Sequence, residues 1–295
     1  MKRFDVVVVG AGPVGLVCAL KLSRAGVDVL LLEAESELNQ ELRASTFHPP
    51  TLDMLEEFGV TATVIRQGLI TPTWQVRMHP SGERAEFDLS ILREHTRHPY
   101  RVQCEQWKLS RMLVTQLTSE LWFDTRALDV RQAGDAVTLL VERGGEREEL
   151  ECSYLIAADG ARSAVRRALA LGFEGVTFPE TTILATTRFD FAAHLPGLSG
   201  VNYCWAPSGT FSLLRLPPSG ASRSIRTMAR KSKQRSSPRQ SIASCSASSR
   251  FRRPTKCCRR GLIASTSASL ITIALGACSS PAMRRTSIVR RGAWA

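Results

Sequence analysis

The stretch that most constrains the fold is residues 4–35, FDVVVVGAGPVGLVCALKLSRAGVDVLLLEAE. "FDVVVVG" is a short β-branched run, all apolar after Asp5, as a parallel strand covered on both faces requires. "PVGLVCALKLSRAG" places Val14, Leu16, Val17, Leu20 and Leu22 at helical spacing, and Gly26 stops it. "VDVLLLEAE" is a second buried strand. Strand, helix and strand in little over thirty residues form a βαβ unit, whose crossover is expected to be right-handed.

The turn inside this unit, "GAGPVG", has glycines at positions 10, 12 and 15 around Pro13. Gly10 permits a tight strand-to-helix turn, Gly12 lets backbone approach a pyrophosphate, and Gly15 lets helix and strand pack closely. The helix N-terminus adds N–H groups and partial positive charge suited to phosphates. Glu33 ends the next strand, where an acid can grip ribose hydroxyls. A plain glycine-rich turn beside a solvated Glu is the reading that the pattern alone leaves open.

Further along, "PPTLDMLEEFG" opens with Pro and ends with Gly, as a helix does. "TWQVRMHPSGERAEFDLS" reads as a hairpin turning at Pro80–Ser81–Gly82. "CEQWKLSRMLVTQLTSEL" reads as an amphipathic helix. Residues 126–159 give three or four antiparallel strands, with turns at Ala133–Gly134–Asp135 and Gly144–Gly145. "GARSAVRRALAL" is a short helix, and 177–216 returns to strand pattern. There are no internal repeats.

A second motif, "YLIAADGARSAVRR", delivers Asp159–Gly160 at the end of an apolar strand, with Ser163 and Arg166 on the next turn. With GAGPVG, it resembles the FAD-dependent aromatic hydroxylases, single-component monooxygenases of the para-hydroxybenzoate hydroxylase type. The resemblance extends to Arg43 in "ELRAST" and Gln103 in "RVQCEQWKL", and covers residues 3 to about 217. It implies an α/β fold: a doubly wound, Rossmann-like FAD domain (1–71 and 99–175) and an incomplete antiparallel substrate sheet (72–98 and 176–218). It implies FAD held by Gly10, Gly12, Pro13, Gly15, Glu33, Ala34, Arg43, Gln103, Asp159 and Gly160. It also implies NADH or NADPH as cosubstrate, molecular oxygen, and a phenol-like aromatic lying beside residues 177–216. For Arg43 the ordinary alternative is a surface Arg, for Gln103 a helix-start polar residue, and for Asp159 an N-cap compatible with a cofactor role. The cofactor carries the chemistry, so no catalytic side chain is assigned. Another FAD oxidoreductase of the same fold is the alternative within the class.

Charge divides the chain sharply. Residues 1–218 carry 22 Lys and Arg against 27 Asp and Glu, whereas 219–295 carry 17 and none. The formal +12 therefore belongs to the last quarter. A basic, Ser-rich segment can bind nucleic acid, which leaves a non-catalytic partial flavoprotein as a second reading. Only Phe251 and Trp294 could stack on bases there, which argues against a nucleic-acid partner. The family continues past this point with more sheet and a Gly–Asp motif that 219–295 lacks. Regrouping its allowed codons by one base yields an acidic strand-and-turn sequence, a short amphipathic helix and a string similar to that motif, in family order. Met228, Met283 and Trp294, whose codons end in a fixed G, supply the bases required. The expectation is a non-native, disordered basic tail read out of frame from near Pro217–Pro218, and weak or absent FAD retention.

The first four cysteines, 18, 104, 152 and 204, sit singly among apolar residues and read as buried free thiols of a cytoplasmic protein. The five histidines show no metal-ligand spacing. The apolar start is broken by Gly and Pro, and nothing in 1–218 is long enough to span a bilayer.

Overall fold

The computed structural model describes residues 1–187, 189–207 and 209–217, residues 176–183 by backbone alone. It adds the strand backbones 223–229, 257–267, 271–276 and 289–290. The chain divides into two compact units, Met1–Leu42 with Gln106–Val176 and Ser267–Ala295, and Arg43–Glu105 with Thr177–Thr266.

In the first unit β1 (Lys2–Val9) lies parallel to β2 (Val29–Leu32) on one side and to β11 (Glu146–Ala157) on the other. Val7, Val8, Leu30, Leu31, Leu32 and Leu155 are buried whichever way they point, which is why the runs lack alternation. α1 (Pro13–Arg24) packs on β1, β2 and α4 (Gln106–Val114), with Leu16 and Leu20 fully buried. Each such leucine contributes about 1.5–3 kcal/mol. Val7, Val9, Leu30 and Leu32 join a cluster completed by Val130, Val137, Leu139 and Val141, and by Val165 of α5 (Ala164–Ala168).

β11 is twelve residues long because it serves two partners on its far edge. Its first half pairs antiparallel with β10 (Ala136–Arg143), which pairs in turn with β9 (Thr125–Ala133). Its second half pairs antiparallel with β17 (Ile271–Gly276). The turns fall at Gly134 and Gly144–Gly145, all three in the left-handed region, as expected. One element differs from expectation. The helix anticipated through Leu121 stops at Val114, and β8 (Glu120–Trp122) extends the sheet parallel to β2. The edge of β2 offers backbone partners that a longer helix would leave unused.

In the second unit a small sheet joins β3 (Thr46–Phe47), β7 (Arg101–Gln103) and β4 (Leu69–Thr71). It ties 43–71 and 99–105 together, so these segments group with this unit instead of with 1–42. α2 (Pro49–Glu56) is the expected helix, and α3 (Thr61–Gln67) is an additional one. The large sheet runs β16 (Cys257–Ser267), β12 (Val176–Thr187), β15 (Arg223–Ala229), β14 (Gly209–Leu214), β13 (Val201–Ala206), β5 (Thr73–Met78), β6 (Arg84–Asp88). The β5–β6 hairpin turns where expected. The sheet is not wholly antiparallel: β13 runs parallel to β5, and the long connection between them makes that pairing possible. Gln75, Arg77, Asn202, Cys204, Phe211 and Leu213 are buried, with Phe191 and Leu195 packed near them. By alternation Trp74, Val76, Tyr203 and Trp205 occupy the opposite face.

The basic tail expected to be disordered over 219–295 lies mostly outside the described residues. Within it β15, β16, β17 and β18 (Val289–Arg290) have strand backbones. β-branched runs such as "ITIALG" favour that conformation. Cys152 and Cys204 are buried free thiols, Cys104 is buried, and Cys18 is half-buried. Among the described residues, no helix is long and apolar enough to cross a membrane.

Candidate functional site

The first unit gathers three sequence motifs at the carboxyl ends of three adjacent parallel strands, β11, β1 and β2. In open α/β sheets this is where ligands bind. Gly10 ends β1 at φ 100°, and its N–H donates to the Leu32 carbonyl at 2.7 Å. A Cβ at Gly10 would lie 2.6 Å from the Ala158 carbonyl oxygen and 3.0 Å from the Asp159 Cα, so the two motif turns are in contact. A Cβ on Gly15 would collide with the Gly10 carbonyl, so a bare helix backbone is needed there. Gly12, by contrast, has nothing within 4 Å of its missing Cβ. It is the N-cap of α1 without a side-chain cap, Pro13 opens the helix, and the first turn holds no acid. An approaching phosphate thus meets backbone and open space.

Glu33 reaches back to this turn. Its Oε2 accepts from the Ala11 N–H at 2.9 Å and its Oε1 from the Glu35 N–H at 3.1 Å. Each carboxylate oxygen keeps a further lone pair, so the group can still accept from a ribose hydroxyl. Ala34, half-buried, follows it. Asp159 takes the capping role weighed for it: Oδ2 accepts from the Ala164 and Val165 N–H groups at 2.6 and 3.2 Å. Ser163 caps the same short helix through the Arg166 N–H. Gly160, at φ 73°, is exposed on the turn between them.

The second unit holds the other two expected residues. Arg43 is exposed. Gln103 is fully buried, so it is no ordinary helix-start polar residue. Its Oε1 accepts from the Thr46 hydroxyl at 3.1 Å and the Ser45 hydroxyl at 3.5 Å. Its Nε2 has neither solvent nor a hydrogen-bond partner. A buried amide donor left over is costly and fits a ligand acceptor. These two observations, a backbone cradle and an orphaned amide donor, fit FAD.

Several residues escaped the sequence. Ser45 and Thr46 orient Gln103 from the start of a strand of two residues, Thr46–Phe47, too short for any periodicity. Arg101, two positions before Gln103, lies over the Trp74 ring beside Tyr203, a grouping that only the tertiary fold creates. Among the described residues no cluster of His, Cys, Asp and Glu could hold a metal.

The family model described as "FAD binding domain" matches residues 3–251, past about residue 217, to which the resemblance was expected to extend. Para-nitrophenol 4-monooxygenase of a Pseudomonas species is 34% identical over 226 residues, 75% of this chain and 55% of that protein. 6-hydroxy-3-succinoylpyridine 3-monooxygenase of Pseudomonas putida is 37% identical over 193 residues, 63% of this chain and 49% of that protein. The chain thus spans about half the length of these relatives. Among solved structures, p-nitrophenol 4-monooxygenase from Pseudomonas putida superposes with a TM-score of 0.78 at 28% identity, covering 93% of this chain and 70% of that one. Aklavinone-11 hydroxylase, solved with FAD and aklavinone, shares the fold with a TM-score of 0.75 at 23% identity, covering 93% of this chain and 55% of that one.

Proposed function

Because the chain belongs to the FAD-binding-domain family of FAD-dependent aromatic hydroxylases, we propose that it serves an NAD(P)H- and O2-dependent hydroxylation of a phenol-like aromatic. The observation that carries this reading is the meeting of Gly10–Gly15, Glu33 and Asp159–Gly160 at the ends of β1, β2 and β11. FAD, if bound, would supply the redox chemistry that passes electrons from NADH or NADPH to O2. In the overall balance one oxygen atom enters an aromatic C–H bond as a hydroxyl, and the other leaves as water with the two electrons and two protons, one from the NAD(P)H hydride and one from solvent.

The residues of this chain bind and orient. Gly10, Gly12, Pro13 and Gly15 present backbone to the pyrophosphate. Glu33 and Ala34 hold the ribose. Asp159 and Gly160 fix the turn beside the Gly10 loop. Gln103, with Ser45 and Thr46 holding its carbonyl oxygen, offers its Nε2 donor to the flavin, and Arg43 contacts the same cofactor. The aromatic substrate belongs to the second unit's sheet. The out-of-frame reading of 219–295 is supported by its lack of any acid and opposed by the family model's match through residue 251; resequencing the gene decides it separately.

FAD titrated into the purified chain should quench flavin fluorescence saturably. Anaerobic NADH or NADPH should then bleach the flavin absorbance, and oxygen should restore it. A chain that binds no FAD at tens of micromolar refutes the reading.

A further inference from the structure

Two buried arginines of the second unit make opposite use of their donors. Arg77 is 8% exposed, and its guanidinium is answered locally. Nη1 donates to Gln75 Oε1 at 2.9 Å and to the Gly197 carbonyl at 3.2 Å, and Nη2 to the Pro196 carbonyl at 3.3 Å. Arg101 is 9% exposed, yet its Nε and Nη1 reach neither solvent nor a partner. Its guanidinium lies 4.8 Å from the centre of the Trp74 ring and shares a hydrogen bond with Tyr203. No ion pair among the described residues includes it.

A guanidinium stripped of water with unpaired N–H groups is a costly arrangement unless another group answers it. The ring stacking does not require those donors, since an apolar side chain would cover Trp74 as well. The surroundings add no negative charge. His48 also feels this cation: burial first and then the Arg101 charge hold it below the usual histidine range. Burial likewise lowers Arg101 itself, against the raising influence of Tyr203. A planar cation beside aromatic rings matches a ring that carries an oxyanion.

We propose that Arg101 is the anion-recognition residue for the aromatic substrate, its Nε and Nη1 donating to the oxyanion of a phenolate or an aromatic carboxylate beside Trp74 and Tyr203. This rests on the reading of the chain as an aromatic hydroxylase, and it assigns that substrate a negative charge. Arg101 is then a specificity residue: it favours the ionised ligand over a neutral one of the same shape.

The test is equilibrium dialysis of the full chain, with FAD added, against two matched pairs of probes. One pair is 4-hydroxybenzoate and 4-hydroxybenzamide; the other is 4-nitrophenolate and 4-nitroanisole. The wild-type chain should bind at least one anion ten-fold or more tightly than its neutral partner, and the preferred pair identifies the oxyanion. Arg101→Met should remove that preference while leaving neutral probes within about two-fold. Arg101→Lys should keep part of it. Without ligand, Arg101→Met should melt at or above the wild-type temperature, whereas Arg77→Met should melt lower. A wild-type chain with no preference for anions, a preference that survives Arg101→Met, or an Arg101→Met chain that unfolds each overturns the proposal. FAD uptake is scored independently by flavin absorbance. Normal uptake without Arg101-dependent preference therefore rejects the anchor alone, and absent uptake rejects both readings.

Discussion

Replacing Gly10 and Gly12 by alanine separates the fold's need for glycine from the ligand's. At Gly10 the backbone stands at φ 100°, a conformation that costs an L residue about 1–3 kcal/mol. The added Cβ would also sit 2.6 Å from the Ala158 carbonyl oxygen and 2.8 Å from its carbon, both backbone atoms that cannot swing aside. Overpacking of that kind costs about 1–3 kcal/mol more. Gly10→Ala should therefore lose about 2–6 kcal/mol, a large part of an ordinary domain's stability. At about 2–4 °C per kcal/mol, its Tm should fall by roughly 4–24 °C. Gly12 is different: its φ is −67° and its Cβ would meet nothing within 4 Å. Gly12→Ala should melt within about 2 °C of wild type, yet bind FAD ten-fold more weakly, about 1.4 kcal/mol, because the methyl occupies the space left for the pyrophosphate. Thermal unfolding by circular dichroism and FAD titration by fluorescence measure the two quantities. A Gly12→Ala chain that keeps wild-type affinity would refute the phosphate role, and a Gly10→Ala chain of unchanged Tm would refute the steric argument.

Two more outcomes follow from ionisable groups, one half-buried carboxylate and two buried thiols. Burial raises the Asp53 carboxyl, but hydrogen bonds from Thr96 and His98 and the charges of His98 and Arg97 outweigh it and hold it below its usual 3.8. A depressed carboxylate contributes stability above its unfolded pKa and loses it as pH falls through the folded one, so the loss lies below 3.8. Asp53→Asn should lower Tm at pH 7 and flatten that acid-side decline; an unchanged slope of Tm against pH would contradict it. Burial also pushes Cys152 up to about 11 and Cys204 up to about 12. At pH 8 about a thousandth or less of either is thiolate, so a thiol reagent followed by peptide mapping should leave both unmodified until the chain is unfolded. Rapid native labelling of Cys204 would show that the sheet around it opens.

The βαβ start was legible because its strands are buried on both faces, which removes alternation and leaves an unmistakable apolar run. The Gly10, Gly12 and Gly15 spacing was legible because Gly10 and Gly15 answer local steric demands and Gly12 leaves open space at the helix start. The Gly134 and Gly144–Gly145 turns were legible for the same reason. What failed depended on distant partners. β8 reads as the tail of a helix until the free edge of β2 is present to receive it. The parallel pairing of β13 with β5 joins residues more than a hundred positions apart, and nothing in either strand announces it. Gln103 was identified by resemblance, but its burial and its two hydroxyl partners come from the pairing of β3 and β7. Arg101 carries no local signal at all, since an arginine opening a three-residue strand reads as solvated.

The groups that the proposed reading assigns to FAD are met differently within the fold, and a simpler ligand tells them apart. In the first unit the polar groups are met within the fold: Glu33 by Ala11 and Glu35, Asp159 by Ala164 and Val165. That arrangement is a preformed backbone cradle, suited to phosphate and ribose, which ADP shares with FAD. The second unit keeps Gln103 Nε2 without a partner, and this donor suits the flavin, which ADP lacks. Gly12→Ala should therefore weaken ADP and FAD by similar factors. Gln103→Met should spare ADP while weakening FAD at least five-fold and shifting its absorbance bands. Its Tm without ligand should move little, because relief of the stranded amide offsets the lost acceptor for Ser45 and Thr46. ADP displacement titrations on both variants measure the split. Equal loss of both ligands in Gln103→Met would mean that Gln103 supports the fold and not the flavin, and the buried donor would need another partner.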